Sequence, residues 1–240
     1  MKHDDRMLNE RREKAAHDVL RVLFIGNSAT YVHDLPQTLF RLADQAGYHI
    51  EVTSVVKGGY MLSQHADPDT EHGRKVLREI RRGYDVVFLQ DNGNCITSQS
   101  KREACRAACS VLHGEIVASG AQTFLYVRPP YGIDLAEYGP FAQCITLDRL
   151  FGEIARELGA VCAHVNRAFA EAMTNLTFDL WGPDHAHIGE HGAYLAVCVF
   201  FATLFRTSSS TLGANGLPPE DACALQKVAD RIVLDGVLPW

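Results

Sequence analysis

The chain has 240 residues, of which 47% are hydrophobic and 22% charged, and this balance predicts one globular domain with a sizeable core. A net charge of -6 and a pI near 6.0 exclude nucleic acid and anionic membranes as expected partners. The charged N-terminus lacks the apolar core of a signal peptide, and no apolar run is long enough to span a membrane. We therefore expect a cytoplasmic protein.

Strand-like and helix-like segments alternate along the sequence. Residues 1–18 are interpreted as a charged N-terminal extension, and residues 19–240 as a single domain. Short apolar or alternating runs predict strands at Val19–Gly26, Ile50–Val56, Tyr84–Leu89, Ala121–Val127 and Ala160–Asn166. Helical spacing predicts helices at Leu35–Ala46, Glu71–Arg82, Lys101–Ser119, Ala142–Leu158, His187–Arg206 and Pro219–Leu234.

Repeated strand–helix units predict an α/β fold, with a parallel sheet covered by helices on both faces. Ligands of such sheets bind at the carboxyl ends of the strands. Ser28, Gly59 and Asn92 each come just after a predicted strand, so we expect them to lie at one edge of the sheet.

Seven cysteines are scattered along the chain without a CxxC pair. Cys105 and Cys109 would share a helix face, but no His or Cys group nearby completes a zinc site with them. The cysteines are interpreted as free, mostly buried thiols of a reducing compartment, and no metal or cofactor is predicted.

A candidate nucleophile ends the first strand, in the segment Ile25-Gly26-Asn27-Ser28. A serine hydroxyl attacks esters only when a base takes its proton, so Ser28 alone is equally explained as a helix N-cap. A phosphate cradle is a weaker alternative, because the chain has neither GxGxxG nor GxxxxGK[ST].

The candidate base is His187, in the run Asp184-His185-Ala186-His187 before an apolar helix. A neutral imidazole can accept the serine proton, and Asp184 can orient the ring. The alternative is a metal-dependent hydrolase built on His185, His187 and His191. All three ligands would come from one turn of the chain, so the metal would lie at that turn. Ser28, on a distant segment, would then have little part in the reaction.

An oxyanion hole can be assembled from groups at the same edge. The backbone amides of Ser28 and Gly59 and the side-chain amide of Asn92 are the candidate donors. Taken singly, the Gly58-Gly59 pair is also explained as a tight turn and Asn92 as a loop residue.

These segments resemble, in order, the four conserved blocks of the SGNH (GDSL-like) hydrolases, a family of serine esterases and lipases. The matching segments are Ile25–Ser28, Gly58–Leu62, Asp85–Asn92 and Asp184–His187. The third block departs from the family's Gly-x-Asn-Asp, because this chain has Gln90-Asp91-Asn92-Gly93. Asn92 keeps the register of the family's Asn, and Gln90 or Asn94 is an alternative donor.

The resemblance implies a flavodoxin-like, three-layer α/β/α sandwich with about five parallel strands. It also implies hydrolysis of an acyl ester through an acyl-enzyme on Ser28, with His187 and Asp184 as its partners and no cofactor. A small-molecule ester with a short acyl group, such as a carbohydrate acetyl ester, is the favoured substrate. The loop from Arg128 to Pro140 borders the predicted site, where packing is its expected role. A non-catalytic ligand-binding member of the fold is a further alternative, and the oligomeric state is left open.

Overall fold

A computed structural model describes residues 2–135 and 138–240, with side chains from Arg6 onward. Five parallel strands form one sheet in the order β2-β1-β3-β4-β5. The strands are β1 (Leu20–Gly26), β2 (Ile50–Val56), β3 (Val86–Leu89), β4 (Gln122–Val127) and β5 (Val161–His164). The α-helices are α1 (Lys2–His17), α2 (Ser28–Tyr31), α3 (Leu35–Gln45), α4 (Leu62–His65), α5 (Glu71–Ile80), α6 (Gln99–Ala118), α7 (Pro140–Leu158), α8 (Val165–Asn175), α9 (Glu190–Phe205) and α10 (Pro219–Val233).

The sheet separates two hydrophobic cores, which makes the fold a three-layer α/β/α sandwich as predicted. Alternation along β1 assigns its side chains to the two faces: Val22 and Phe24 pack into one core, Leu23 and Ile25 into the other. The first core also holds α9, in which every residue from Gly192 to Phe205 is buried. This burial explains why α9 is apolar on all sides.

The fifth strand is shorter than the sequence indicates. The apolar pattern predicts a strand over Ala160–Asn166, but β5 ends at His164 and helix α8 begins at Val165. The buried residues Val165, Ala168, Phe169 and Ala172 have the 3.6-residue spacing of an amphipathic helix. The prediction of a strand to Asn166 is therefore wrong over the first turn of α8.

The N-terminal residues form helix α1, which packs against the rest of the chain. Arg11 Nε donates to the carbonyl of Leu204 at 3.1 Å, and Lys14 Nζ pairs with Asp85 at 2.8 Å. Ala15 is fully buried. The division of the chain at residue 18 stays a prediction. Among the described helices, none is both long and apolar enough to cross a membrane.

Candidate active site

The predicted nucleophile Ser28 is the first residue of α2, immediately after β1. Asn27, not Ser28, caps this helix: its Oδ1 accepts from the amide of Ala29 at 3.0 Å. Asn27 Nδ2 donates to the carbonyl of Tyr60 at 2.8 Å, which ties the turn to the Gly58-Gly59 segment. The N-cap interpretation of Ser28 is therefore wrong. Its half-buried hydroxyl has no hydrogen-bond partner within the described residues, His187 included.

Gln90 fixes the turn that carries Ser28. Its buried Oε1 accepts from the amide of Asn27 and from Thr30 Oγ1, both at 2.9 Å, and its Nε2 donates to the carbonyl of Asp91. A Cβ on Gly26 would lie 2.5 Å from the Gln90 oxygen, so only glycine allows this approach. Both ends of the Gln90 amide are thus occupied by the protein itself.

Asp184 and His187 form the pair that the DxxH spacing predicts. His187 Nδ1 lies 2.6 Å from Asp184 Oδ2, and Asp184 Oδ1 accepts from the amides of Ala186 and His187, each at 3.0 Å. The His187 side chain, followed by the backbone amides, lowers the pKa of Asp184 to about 2. Asp184 is therefore a carboxylate at neutral pH and fixes the orientation of the His187 ring.

The loop carrying this pair lies at the carboxyl edge of the sheet. The amide of Gly132, in the loop after β4, donates to the carbonyl of His185 at 2.7 Å. Trp181 Nε1 donates to the carbonyl of Pro130 in the same loop at 3.1 Å. His33 and Glu190 line one cavity of about 230 Å³, so the chain after Ser28 meets the chain after His187.

Asn92 and Gly59 lie next to each other, beside the turn that carries Ser28. Asn92 Oδ1 accepts from the amide of Asn94 at 3.0 Å and from Tyr131 Oη at 3.2 Å, while its Nδ2 lies 3.4 Å from the carbonyl of Gly59. Gly59 has a φ of 74°, a conformation that favours glycine. Within the described residues, the amides of Ser28 and Gly59 have no acceptor. The two backbone amides are therefore free among the described residues, while Asn92 Nδ2 makes one long contact, with the carbonyl of Gly59.

The histidines of the alternative metal site do not form a group of potential metal ligands in the described residues. His191 Nε2 pairs with Asp221 at 3.0 Å, and its ring stacks on Phe178. His187 Nδ1 is held by Asp184. In the part of the chain that the structure describes, the one group of three or more potential metal ligands contains no histidine.

The thiols differ from the sequence interpretation in one respect. Five of the seven cysteines are buried and none is in a disulfide, as predicted for free thiols. The structure also brings Cys95 and Asp91 next to Cys105, a grouping that the sequence analysis did not identify. The residues meet because the polypeptide turns back from the end of β3 onto α6, which no local pattern reveals.

The loop from Arg128 to Pro140 mainly packs, as expected. Arg128 is buried over the ring of Tyr131, and Tyr131 in turn bonds Asn92. Gln143, which the sequence analysis did not identify, accepts from the amide of Tyr131 at 2.9 Å and donates to the carbonyl of Ile133 at 2.7 Å. Residues 136 and 137 of the loop lie outside the described residues.

A larger cavity, of about 1080 Å³, lies at the opposite edge of the sheet. It is lined by Gln122 and Val161, which begin β4 and β5, and by Arg11 of α1. Because ligands of parallel sheets bind at the carboxyl ends of the strands, this cavity is not where the predicted chemistry lies.

Comparison with known proteins finds solved structures with a similar fold. No protein-family model matches the chain, and no curated protein matches its sequence. Among solved structures, the chain is similar to a candidate SGNH hydrolase from Slackia heliotrinireducens, with 23% identity and a TM-score of 0.66 over 78% of this chain and 100% of that one. A DUF4886 family protein from Bacteroides uniformis has 17% identity and a TM-score of 0.76, over 90% of this chain and 95% of that one.

An acetylxylan esterase from Geobacillus stearothermophilus is also similar, with 15% identity and a TM-score of 0.57 over 77% of this chain and 94% of that one. The structural neighbours thus include SGNH hydrolases and esterases, and the chain has an SGNH-hydrolase-like fold. At these identities the likeness shows the fold, while the chemistry must be argued from the site.

Proposed function

We propose that the protein is a serine ester hydrolase that forms an acyl-enzyme on Ser28. One observation carries the proposal: the Asp184–His187 pair, held at 2.6 Å, lies at the same sheet edge as a serine hydroxyl that no helix cap occupies. A carboxylate, an imidazole and a hydroxyl in this order are what acyl transfer through a covalent intermediate requires.

In the first half-reaction, Ser28 Oγ attacks the ester carbonyl and His187 Nε2 takes its proton. His187 then protonates the leaving alcohol, and the acyl group stays on Ser28. In the second half-reaction, His187 takes a proton from water, which attacks the acyl-enzyme and releases the acid. Asp184 keeps the Nδ1–H tautomer of His187 and stabilises the imidazolium. The Ser28–His187 hydrogen bond forms with substrate in place, since such bonds are often long in unliganded sites.

The negative charge of the tetrahedral intermediate is stabilised by the amides of Ser28 and Gly59 and by Asn92 Nδ2. The choice of Asn92 over the two other candidates rests on its contacts. Gln90 has both ends of its amide bonded within the protein. Asn92 Oδ1 is held by two donors, and its Nδ2 makes only a long contact, 3.4 Å from the carbonyl of Gly59, which leaves its second N–H for the oxyanion. The Asn94 side chain makes no hydrogen bond within the described residues that would hold it in place, which makes Asn94 the weaker candidate.

Asn92→Ala is expected to lower kcat by a factor of about 10²–10³, because one oxyanion donor is lost. Initial rates on p-nitrophenyl acetate measure the loss, and KM should change much less. Asn94→Ala is the matched control and should stay within about threefold of the wild type. A larger loss in Asn94→Ala than in Asn92→Ala would assign the donor to Asn94. Thermal unfolding of both variants shows whether the loss of the turn cap at Asn92 accounts for any part of the effect.

The substrate we propose is a small ester with a short acyl group, and a carbohydrate acetyl ester fits this description. The likeness to an acetylxylan esterase supports it. So does the polar and aromatic side chain of Tyr131, whose hydroxyl bonds Asn92 beside the predicted hole. The absence of disulfides among the described thiols fits our expectation that the protein works in the cytoplasm.

The acyl preference is tested with p-nitrophenyl acetate, butyrate and octanoate, together with an acetylated xylo-oligosaccharide. We expect kcat/KM to be no higher for octanoate than for acetate, because a polar site gains little from added methylenes. Each rate is corrected with Ser28→Ala as the blank. A preference for octanoate would contradict the short acyl group but would leave the serine mechanism in place.

A further inference from the structure

A cluster of buried side chains lies directly behind the predicted oxyanion block. It comprises Asp91 after β3, Cys95 in the 3-10 turn Gly93–Ile96, and Cys105 on α6. One carboxylate oxygen and the two sulfurs all lie within 4.8 Å of one another. Each of the three residues is at most 1% exposed. The mechanism proposed above uses none of these three side chains for catalysis.

The two oxygens of Asp91 have different environments. Asp91 Oδ1 accepts from the amides of Leu62 at 2.8 Å and Asn92 at 2.7 Å. Asp91 Oδ2 is buried and has no nitrogen or oxygen donor among the described residues, and the Cys105 thiol is the donor close to this carboxylate. A thiol is a weak donor, so a buried carboxylate oxygen that faces thiols is poorly satisfied and is open to a ligand that the protein chain does not supply.

We propose that Asp91 Oδ2, Cys95 Sγ and Cys105 Sγ bind a Zn²⁺ ion. Thiolate and carboxylate are ligands that zinc takes in tetrahedral sites, with Zn–S distances of about 2.3 Å. A tetrahedron of that size places sulfurs about 3.8 Å apart, so separations of up to 4.8 Å need to contract by about 1 Å. Binding converts each coordinating thiol to a thiolate and releases one proton to solvent for every cysteine ligand.

The fourth ligand has a candidate on the same helix. Cys109 is fully buried and lies one turn after Cys105, on the same face of α6, but its sulfur lies outside the group of atoms within 4.8 Å of one another, so it would have to move inward to bind. A site closed in this way has no open position for substrate, which makes the ion structural. It would join the 3-10 turn to α6 and hold the segment after β3 that carries Asn92.

The charge around the cluster favours the same ligand. Two thiolates and one carboxylate around Zn²⁺ carry one net negative charge, and a third thiolate from Cys109 would raise it to two. Arg128 is buried, its Nε has no hydrogen-bond partner, and it makes no ion pair with any described residue. A Cβ on Gly93 would clash with Arg128 Nη1, so the guanidinium lies against the 3-10 turn that carries Cys95. The negative charge of the zinc-loaded site would therefore balance the positive charge of the buried Arg128.

The test is the zinc content of the full chain, produced without an affinity tag in zinc-supplemented medium and dialysed against metal-free buffer. Mass spectrometry of the metals should find about one zinc per chain in the wild type and at least about tenfold less in Cys105→Ser and Asp91→Asn. Cys144→Ser is the matched control, since Cys144 is an equally buried helical cysteine outside the cluster. It should keep the zinc, as should His187→Ala.

Two further results separate this proposal from its alternatives. Protein refolded with Co²⁺ should show a thiolate-to-cobalt charge-transfer band that Cys105→Ser lacks, and circular dichroism confirms that the variants are folded. A folded wild type without stoichiometric metal would overturn the proposal, as would zinc that is retained in Cys105→Ser or lost equally in Cys144→Ser. None of these readouts depends on ester hydrolysis, so the proposed function can fail or succeed separately.

Discussion

Ser28→Ala is expected to lower kcat/KM for p-nitrophenyl acetate by a factor of about 10⁴ or more. The hydroxyl is the only atom of Ser28 that the reaction uses covalently, and α2 keeps its cap because Asn27, not Ser28, provides it. The melting temperature should therefore stay close to that of the wild type. Initial rates with high enzyme concentration measure the residual activity.

Ser63→Ala is the matched control for this experiment. Ser63 is half-buried near the start of the short helix α4, as Ser28 is at the start of α2, and the mechanism gives it no role. Its activity should stay within about twofold of the wild type. Retention of more than about a tenth of the activity in Ser28→Ala would remove Ser28 as the nucleophile, and with it the proposed mechanism.

His187→Ala is expected to cost a similar factor, about 10⁴ or more, because the serine then loses its base. Asp184→Asn should cost about 10³–10⁴, since an amide in place of the carboxylate favours the wrong tautomer of His187. The double variant Ser28→Ala/His187→Ala should be no slower than either single variant, because the two groups act as a unit.

His191→Ala is the control for the histidine run, since His191 pairs with Asp221 and not with the predicted site. Losses that multiply in the double variant would show that Ser28 and His187 act independently. A loss in His191→Ala as large as that in His187→Ala would restore the metal-dependent alternative. The pKa of Asp184, lowered to about 2, means that its own titration affects activity only in strong acid.

Local sequence patterns were sufficient to predict the layers of the fold. Short apolar runs such as Val86–Leu89 are buried on both faces, and buried parallel strands have this pattern. The pattern failed at Val165, where a helix begins directly after a four-residue edge strand. A short apolar run is typical of a half-buried edge strand and also of one turn of a half-buried helix. The length of such a run does not distinguish the strand from the helix.

The candidate site was predictable where it rests on blocks with fixed spacing. The three-residue separation of Asp184 and His187 lets the two side chains meet within one loop, and they do. Contacts between distant segments were not predictable. Gln90 reaches Thr30 across 60 residues, and only the sheet topology shows that its amide is occupied. The cluster around Cys105 was missed for the same reason.

The most direct test of the serine mechanism is covalent labelling with a fluorophosphonate, followed by peptide mass spectrometry. The reagent phosphonylates a serine only where a base and an oxyanion hole activate it. We predict one adduct per chain, located on Ser28, absent in Ser28→Ala and formed far more slowly in His187→Ala. An enzyme that hydrolyses esters without an adduct on Ser28, or with the adduct on another residue, would contradict the account.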